Sequence, residues 1–240
     1  LEVMDLGAPI DVLWFRISRQ ANDSTQVLGR LNYGKALILL NRNEYFQAGL
    51  IIPKGSLDQL RAEGLPALRA SLRQLAPFFG ERVEEVKDWD QIKLLSVQIN
   101  RLQRWHRPGL LCIGDAAHAM SPAGGVGINL AIQDAVAAAN ILAEPLREKK
   151  VTEALLTSVQ QRREFPTRVV QSIQVRIHGA MARVLGHPVS VKAPWQMHLV
   201  LGIPGRKRLL ARVLGLGIRP EHIRTADQTS APRPQPVSKQ

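Results

Sequence analysis

The most informative segment of the sequence is Leu110–Leu142, LLCIGDAAHAMSPAGGVGINLAIQDAVAAANIL. It begins with a short apolar run, Leu110–Ile113, whose lack of alternation is typical of a strand buried on both faces. Gly114 ends that run and lets backbone or ligand approach closely. Asp115 follows at the carboxyl end of the strand, where open α/β sheets usually contact ligands. Its carboxylate can accept hydrogen bonds from ligand hydroxyl groups.

The loop after this strand, Ser121–Gly127, has too few side chains to pack on itself. Loops of that kind bring backbone N–H groups close to a ligand. A long Ala-rich helix, Ile128–Ala143, is predicted to follow. Its free N–H groups and the positive end of its dipole would point at the same place as the loop, so we expect partial negative charge to be stabilised there.

The residues upstream of this stretch predict an antiparallel sheet. Four segments rich in β-branched, aromatic and other apolar residues carry that prediction: Asp11–Ser18, Val27–Leu31, Lys35–Leu40 and Tyr45–Ile52. A capping-box pattern at Ser56 and Gln59 predicts a helix, and Pro66 suits the start of a second one. Alternation over Ile92–Ile99 predicts a further strand.

The C-terminal third is predicted to be mostly helical, with a disordered end. Helices are expected at Thr152–Leu185, Trp195–Leu201 and Lys207–Leu214, separated by prolines. The stretch Ala231–Gln240 contains Pro and Ser and is expected to be disordered.

The composition excludes several classes of protein. A single cysteine, Cys112, rules out an intramolecular disulfide and a metal site built from several cysteines. The six histidines show no metal-ligand spacing, so no metal is predicted. We expect a cytoplasmic protein, because no secretory signal and no apolar run of about 18 residues is visible.

The formal net charge of +12 is concentrated near the C-terminus. Residues 201–240 hold eight Lys or Arg residues against two acidic ones, and no aromatic residue. Without aromatic residues there is no stacking platform for bases, so no nucleic-acid partner is predicted. A basic segment such as Arg206–Arg212 can contact an anionic membrane surface peripherally.

The sequence GDAAH, followed by P-x-x-G-x-G-x-N and an Ala-rich helix, resembles the second flavin motif of class A flavoprotein monooxygenases. That family includes para-hydroxybenzoate hydroxylase and the ubiquinone-biosynthesis hydroxylases. The resemblance implies that Asp115 contacts the ribityl and pyrophosphate region of FAD. It also implies that the loop and helix start lie beside the isoalloxazine ring. The cofactor-binding residues predicted in this way are Gly114, Asp115, Pro122, Gly125, Gly127, Ile128 and Asn129.

A mixed α+β and α/β fold in four parts is predicted, the first two from the same resemblance and the last two from the residue pattern. Residues 1–109 are an incomplete substrate-binding sheet domain, and 110–145 are the C-terminal part of an FAD-binding domain. Residues 146–225 are a helical region, and 226–240 are a disordered tail. The predicted substrate-pocket residues on the sheet are Tyr33, Phe46, Gln47, Leu95 and Val97.

The activity implied is hydroxylation of an aromatic or hydrophobic substrate, with FAD, O2 and NADH or NADPH as co-substrate. No acid–base pair is singled out as catalytic, because the flavin carries the chemistry. A complete family member also has an N-terminal G-x-G-x-x-G between a strand and a helix. No such motif is found here, so we expect a fragment that binds FAD weakly by itself.

Three residues near the motif are assigned structural roles. His118 is expected to be packed and hydrogen-bonded, Cys112 to be an inert core thiol, and Asp134 to be a surface or helix-packing residue. Two alternatives to the monooxygenase remain. One is a flavin-dependent halogenase or reductase; the other is a degenerate, non-catalytic module that binds a partner or membrane through its basic tail.

Overall fold

A computed structural model describes residues 1–32, 34–185, 212 and 215–224. The fold is mixed α/β, as predicted. The strands are β1 (Val3–Asp5), β2 (Ile10–Ser18), β3 (Leu28–Asn32), β4 (Lys35–Asn41), β5 (Tyr45–Pro53), β6 (Lys93–Leu95), β7 (Asn100–Leu102), β8 (His106–Arg107) and β9 (Leu110–Leu111). The helices are α1 (Leu57–Leu75), α2 (Gly127–Arg147) and α3 (Glu153–Val184).

The central element is a five-stranded antiparallel sheet with the order β3-β4-β5-β2-β6. Its longest pairing joins β2 to β5 over nine positions, from Ile10 opposite Pro53 to Ser18 opposite Tyr45. All four strands predicted upstream of residue 53 are present, which confirms the antiparallel sheet.

The two faces of the sheet pack against different partners, because successive side chains of a strand point to opposite sides. On one face, Leu13 and Phe15 of β2 join a core with Leu68 and Leu72 of α1. On the other face, Val12 and Ile51 pack with Val97 and with Leu185 at the end of α3. The second face therefore carries the connection to the C-terminal helices.

Helix α1 contains a sharp change of direction at Gly64, which has φ of 85° and ψ of 165°. The two predicted helices therefore form one interrupted element, and Pro66 lies in its second half. The prediction of a capping box at Ser56 is wrong. No side chain caps the start of this helix, and the Ser56 hydroxyl donates to the carbonyl of Pro53.

Two predicted strands are much shorter than expected. Of Ile92–Ile99, only β6 forms a strand, in the five-stranded sheet; the next strand, β7, begins after Ile99 and pairs with β1 in a separate ladder. The break occurs where the amide of Val97 donates to the Asp11 carboxylate at 3.0 Å. The Asp11 side chain thus accepts the Val97 amide in place of the backbone carbonyl of a neighbouring strand.

The predicted buried strand Leu110–Ile113 is also corrected. Only β9 is regular, and within the described ranges it pairs with β8 alone. Leu110 is 39% exposed, so the expectation of a strand buried on both faces is wrong, whereas Cys112 is partly buried and packs against the core cluster of Leu102, Trp105 and Ala117.

Helices α2 and α3 pack against each other, and both were predicted. The helices expected at Trp195–Leu201 and Lys207–Leu214, and the disordered end at Ala231–Gln240, fall outside the described residues, apart from Arg212. Among the described helices, none has the length and apolar character that crossing a membrane requires.

Candidate functional site

The turn Gly114–Ala116 rests directly on α2. Gly114 has φ of 57°, a backbone region that side chains rarely adopt. A Cβ added at Gly114 would lie 2.9 Å from Cβ of Ala131. Glycine at 114 and alanine at 131 therefore allow a close approach of turn and helix. This contact leaves the next residue, Asp115, with an exposed side chain.

The Gly-rich loop leads into the start of α2 with open backbone. Gly124 and Gly125 have φ of 84° and 62°, and an added Cβ at Gly125 would meet nothing within 4 Å. Helix α2 begins at Gly127, and no side chain caps its first turn. The N–H groups of a first helical turn lack intrahelical acceptors, so they are available to a ligand.

A cavity of about 470 Å³ lies between this segment and the end of β6. One side is formed by Asp115, the loop and the start of α2, and the other by the connection after β6. Its lining residues are Leu95, Ser96, Val97, Gln98, Asp115, Ala119, Met120, Ser121, Pro122, Gly125, Gly127 and Ile128. After the roles predicted for their residues, we call the Asp115 side the flavin wall and Leu95–Gln98 the substrate wall.

Most predicted cofactor residues and two predicted substrate residues thus meet at one cavity. Gly114 lies buried behind the flavin wall, and the amide of Asn129 donates from Nδ2 to the carbonyl of Gly215 at 3.1 Å. Two of the other predicted substrate residues, Phe46 and Gln47, do not line this cavity. Phe46 is fully buried in the core with α1, and Gln47 accepts hydrogen bonds from Arg42. Tyr33 lies outside the described residues.

A buried carboxylate, Asp134 of α2, supports the flavin wall from the side away from the cavity. Its Oδ2 accepts the amide of Gly114 at 3.1 Å and lies 2.6 Å from Nε2 of His118, while Oδ1 accepts Nε of Arg163 at 3.0 Å. Asp134, His118 and Arg163 are at most 1% exposed. The packed role expected for His118 is confirmed. Of the two roles expected for Asp134, the surface position is wrong, and helix packing is confirmed because Asp134 of α2 pairs with Arg163 of α3.

The loop of the flavin wall is also anchored to α3. The amide of Ser121 donates to Gln174, and Gln174 donates back to the Ser121 carbonyl. The Ser121 hydroxyl lies 2.9 Å from Nε2 of His178. Because His178 is fully buried, desolvation lowers its pKa below the ordinary value and favours the neutral ring.

The substrate wall is held by a second buried carboxylate, Asp11 of β2. It accepts the amides of Val97 and Gly55, both at 3.0 Å, and Nζ of Lys54 at 2.8 Å. Lys54 also donates to Ser96 and to the carbonyl of Val97. Burial raises the pKa of Asp11, but the hydrogen bonds from Lys54, Gly55 and Val97 outweigh it, and the pKa lies below its ordinary value.

These anchoring residues were not predicted from the sequence as parts of the site. Nothing in a sequence pattern distinguishes Asp11 or Gln174 from other polar residues of a strand or helix. The one available signal was the spacing of His118 and Asp134 around the Gly-rich loop. In the part of the chain that the structure describes, no cluster of His, Cys, Asp or Glu could hold a metal ion.

The cavity offers what a flavin ring system requires. It combines a carboxylate for hydroxyl groups, uncapped helix N–H groups for a ring edge that gains negative charge, and open space at glycines where a flat ring can approach. The residues present therefore fit the cofactor that the sequence motif implies.

Comparison with known proteins gives a consistent result. A family model described as an FAD binding domain matches residues 14–173, about two thirds of the chain. The chain is also similar to the 6-methylpretetramide 4-monooxygenase of Streptomyces rimosus. The two are 31% identical over 204 residues, which cover 85% of this chain and 48% of that protein.

Two solved structures share the fold. One is PqsL of Pseudomonas aeruginosa, a probable FAD-dependent monooxygenase, with a TM-score of 0.59 and 23% identity over 77% of this chain and 51% of that chain. The other is the anhydrotetracycline hydroxylase OxyS of Streptomyces rimosus, with 0.60 and 19% over 91% and 43%. The chain therefore spans about half the length of the relatives that it matches.

Proposed function

The chain belongs to the FAD binding domain family of class A flavoprotein monooxygenases, and from this premise we propose that it forms the ring-side part of an FAD-dependent monooxygenase site. The observation that carries the proposal is the cavity itself. There the predicted flavin residues Asp115, Pro122 and Gly125 face the predicted substrate residues Leu95 and Val97.

When bound, FAD would supply the redox chemistry: it would take a hydride from NADH or NADPH and, with O2, transfer one oxygen atom to the substrate. The residues of this chain would bind and orient. The Asp115 carboxylate is exposed in the cavity and can accept hydrogen bonds from ribityl hydroxyl groups. Gly125 and Gly127 leave room for the ring to approach backbone N–H groups.

The start of α2 would stabilise negative charge at the edge of a reduced flavin. Its first-turn N–H groups have no side-chain cap, and the positive end of the helix dipole lies there. An anion near such a terminus is stabilised by about 0.3–1 kcal/mol when exposed, and by up to about 2 kcal/mol when partly buried.

The substrate wall supports an aromatic or hydrophobic substrate. Leu95 gives this wall exposed apolar surface, and Met120 adds apolar lining outside the wall, while Ser96 and Gln98 supply a few polar groups. Apolar walls with a few placed polar groups are typical of small-molecule sites, and they also exclude water from the reacting centre.

The test combines the cofactor and the reaction. The purified protein is saturated with FAD, and NADH and NADPH oxidation are followed with a panel of aromatic acids and polycyclic phenols under ¹⁸O2. We expect ¹⁸O in the product of the wild-type protein. Flavin binding should be weaker in Asp115→Ala and unchanged in the exposed control Asp90→Ala. Equal flavin binding in wild type and Asp115→Ala would contradict the proposal.

The same experiment separates the related activities. Nicotinamide oxidation that yields only peroxide would identify a reductase, and halide incorporation without ¹⁸O a halogenase. Either outcome retains the flavin site but removes the monooxygenase assignment.

Peripheral membrane contact through the basic C-terminal segment remains a separate proposal. Its residues Arg206, Lys207 and Arg208 lie outside the described part of the chain. It is tested by co-sedimentation with liposomes rich in phosphatidylserine. Binding unchanged by replacement of these three residues with Gln would remove it.

A further inference from the structure

The Asp134 carboxylate lies where three elements meet. It is fully buried, and it bonds to the turn through Gly114, to the end of the GDAAH motif through His118 and to α3 through Arg163. Gly114 precedes Asp115 directly, so the bond to its amide fixes the backbone that carries the cavity carboxylate.

Arg163 extends this network to a fourth element, the segment Gly215–Arg224. Its Nη1 donates to the carbonyl of Arg219 at 2.9 Å and lies 3.5 Å from the Glu221 carboxylate. Its Nη2 donates to Gln133 of α2 at 3.2 Å. All three guanidinium nitrogens are thus used, and the side chain is fully buried.

Fold stability alone does not account for this arrangement. Removing two charges from water is expensive, and apolar residues of similar volume often replace a buried ion pair without loss of stability. What the pair specifies is geometry: a carboxylate with three directed donors holds turn and helix in one relative position.

We propose that Asp134 and Arg163 are positioning residues for the flavin site: they hold the turn Gly114–Ala116 against α2, so that the Asp115 carboxylate and the N-terminus of α2 face the same cavity. This inference rests on the proposed function and extends it to residues that touch no cofactor. Supporting groups that orient a site from behind commonly matter nearly as much as the groups in contact.

The test is a double-mutant cycle on FAD affinity, measured by quenching of flavin fluorescence. Arg163→Met is made in wild type and in Asp115→Ala, and Arg168→Met, an exposed arginine of the same helix, is the matched control. Because Arg163 acts through the Asp115 turn, we expect Arg163→Met to weaken FAD binding about tenfold or more in wild type, and less than about threefold in Asp115→Ala. Equal losses in both backgrounds would overturn the positioning role.

Arg163→Lys keeps a charge for Asp134 but lacks the planar fork that also reaches Arg219 and Gln133. An intermediate loss of affinity is expected. If Arg163→Met does not fold, the cycle is run with Arg163→Lys, and the same non-additivity decides. If wild-type protein binds no FAD at all, the proposed function fails.

A second measurement tests the positioning without any cofactor. Amide hydrogen exchange is compared in wild type and Arg163→Lys for peptides that contain Gly114–His118 and for peptides of β2 and β5. Local loosening predicts faster exchange at Gly114–His118 with β2 and β5 unchanged. An equal rise in both regions, or no rise at the turn, would overturn the inference.

Discussion

The two walls of the cavity are held by the same device in two different environments. On the flavin wall, Asp134 accepts the amide of Gly114 and pairs with Arg163; on the substrate wall, Asp11 accepts the amide of Val97 and pairs with Lys54. Both carboxylates are buried, but the two cations differ in their exposure to solvent. Arg163 is fully buried, whereas the Lys54 side chain is 40% exposed.

The difference in exposure of the two cations indicates which wall is fixed and which can adjust. A pair removed from water is little screened by salt and is costly to break. A pair with an exposed partner is worth less, because water solvates the cation when the pair opens. We therefore expect a rigid flavin wall, suited to one constant cofactor, and a substrate wall that tolerates change.

The largest effect is expected from breaking the pair on the flavin wall. Arg163→Met leaves Asp134 buried without its cation, which costs about 3–5 kcal/mol of unfolding free energy. Urea denaturation measures it. Arg168→Met is the surface control, and the pairing account fails if the two variants are equally stable.

Gly114→Ala should come next. The new methyl would lie 2.9 Å from Cβ of Ala131, at a φ of 57°. Overpacking and backbone strain together should cost roughly 2–4 kcal/mol. Gly125→Ala is the matched control, because it has the same strained φ but open space around its Cβ. Because glycine inside a helix is itself destabilising by roughly 0.5–1 kcal/mol, the loss caused by Gly114→Ala is compared in wild type and in Ala131→Gly. It should be smaller in Ala131→Gly, and equal losses would show that the contact is not the cause.

A smaller loss is expected on the substrate wall. Lys54→Met removes one cation from Asp11 but leaves the amides of Gly55 and Val97 in place. Because Lys54 is partly exposed, the loss should be about 1 kcal/mol. Denaturation in low and high salt checks this, with Lys93→Met of β6 as an exposed control. A loss as large as that of Arg163→Met would abolish the contrast between the walls.

The smallest effect is a difference in pH dependence. Burial lowers the pKa of His178, so its stabilising effect is complete above the ordinary value of 6.5 and is lost as pH falls from there through the folded-state pKa. The pKa of Asp11 is also lowered, so its contribution is present above 3.8 and is lost only at lower pH. The flavin wall should weaken first on acidification.

Unfolding free energies between pH 5 and 8 test this order. His178→Gln keeps a hydrogen-bonding group for the Ser121 hydroxyl but cannot titrate, so the pH slope of its unfolding free energy should be shallower than that of wild type. Some slope should remain, because burial and Arg104 also lower the pKa of His106. An unchanged slope in His178→Gln would contradict the account.

The sequence predicted what depends on local pattern. The strands up to residue 53, the Gly-rich loop and the Ala-rich helix follow from alternation, glycine content and helical periodicity, and all are present. The loop and Leu95 line one cavity, and their roles toward flavin and substrate stay predictions. Such features are set by residues that are close in the chain.

Long-range contacts explain what was missed. Asp134 is a buried carboxylate because of Gly114 and Arg163, which are 20 and 29 positions away. The strand predicted at Ile92–Ile99 is interrupted because the Asp11 carboxylate accepts a hydrogen bond from the amide of Val97, which is 86 positions away. Alternation also placed Phe46 and Gln47 on opposite faces of β5 without saying which face meets the cavity.

Amide hydrogen exchange can show whether the segment from Ser121 to Asn129 contacts the flavin, as proposed. Exchange is measured with and without saturating FAD for a peptide that contains Ser121–Asn129 and for one that contains Trp89–Gln91. The uncapped N–H groups at the start of α2 should become protected by FAD, while Trp89–Gln91 should not change. Bound FAD with unaltered exchange over Ser121–Asn129 would contradict the account.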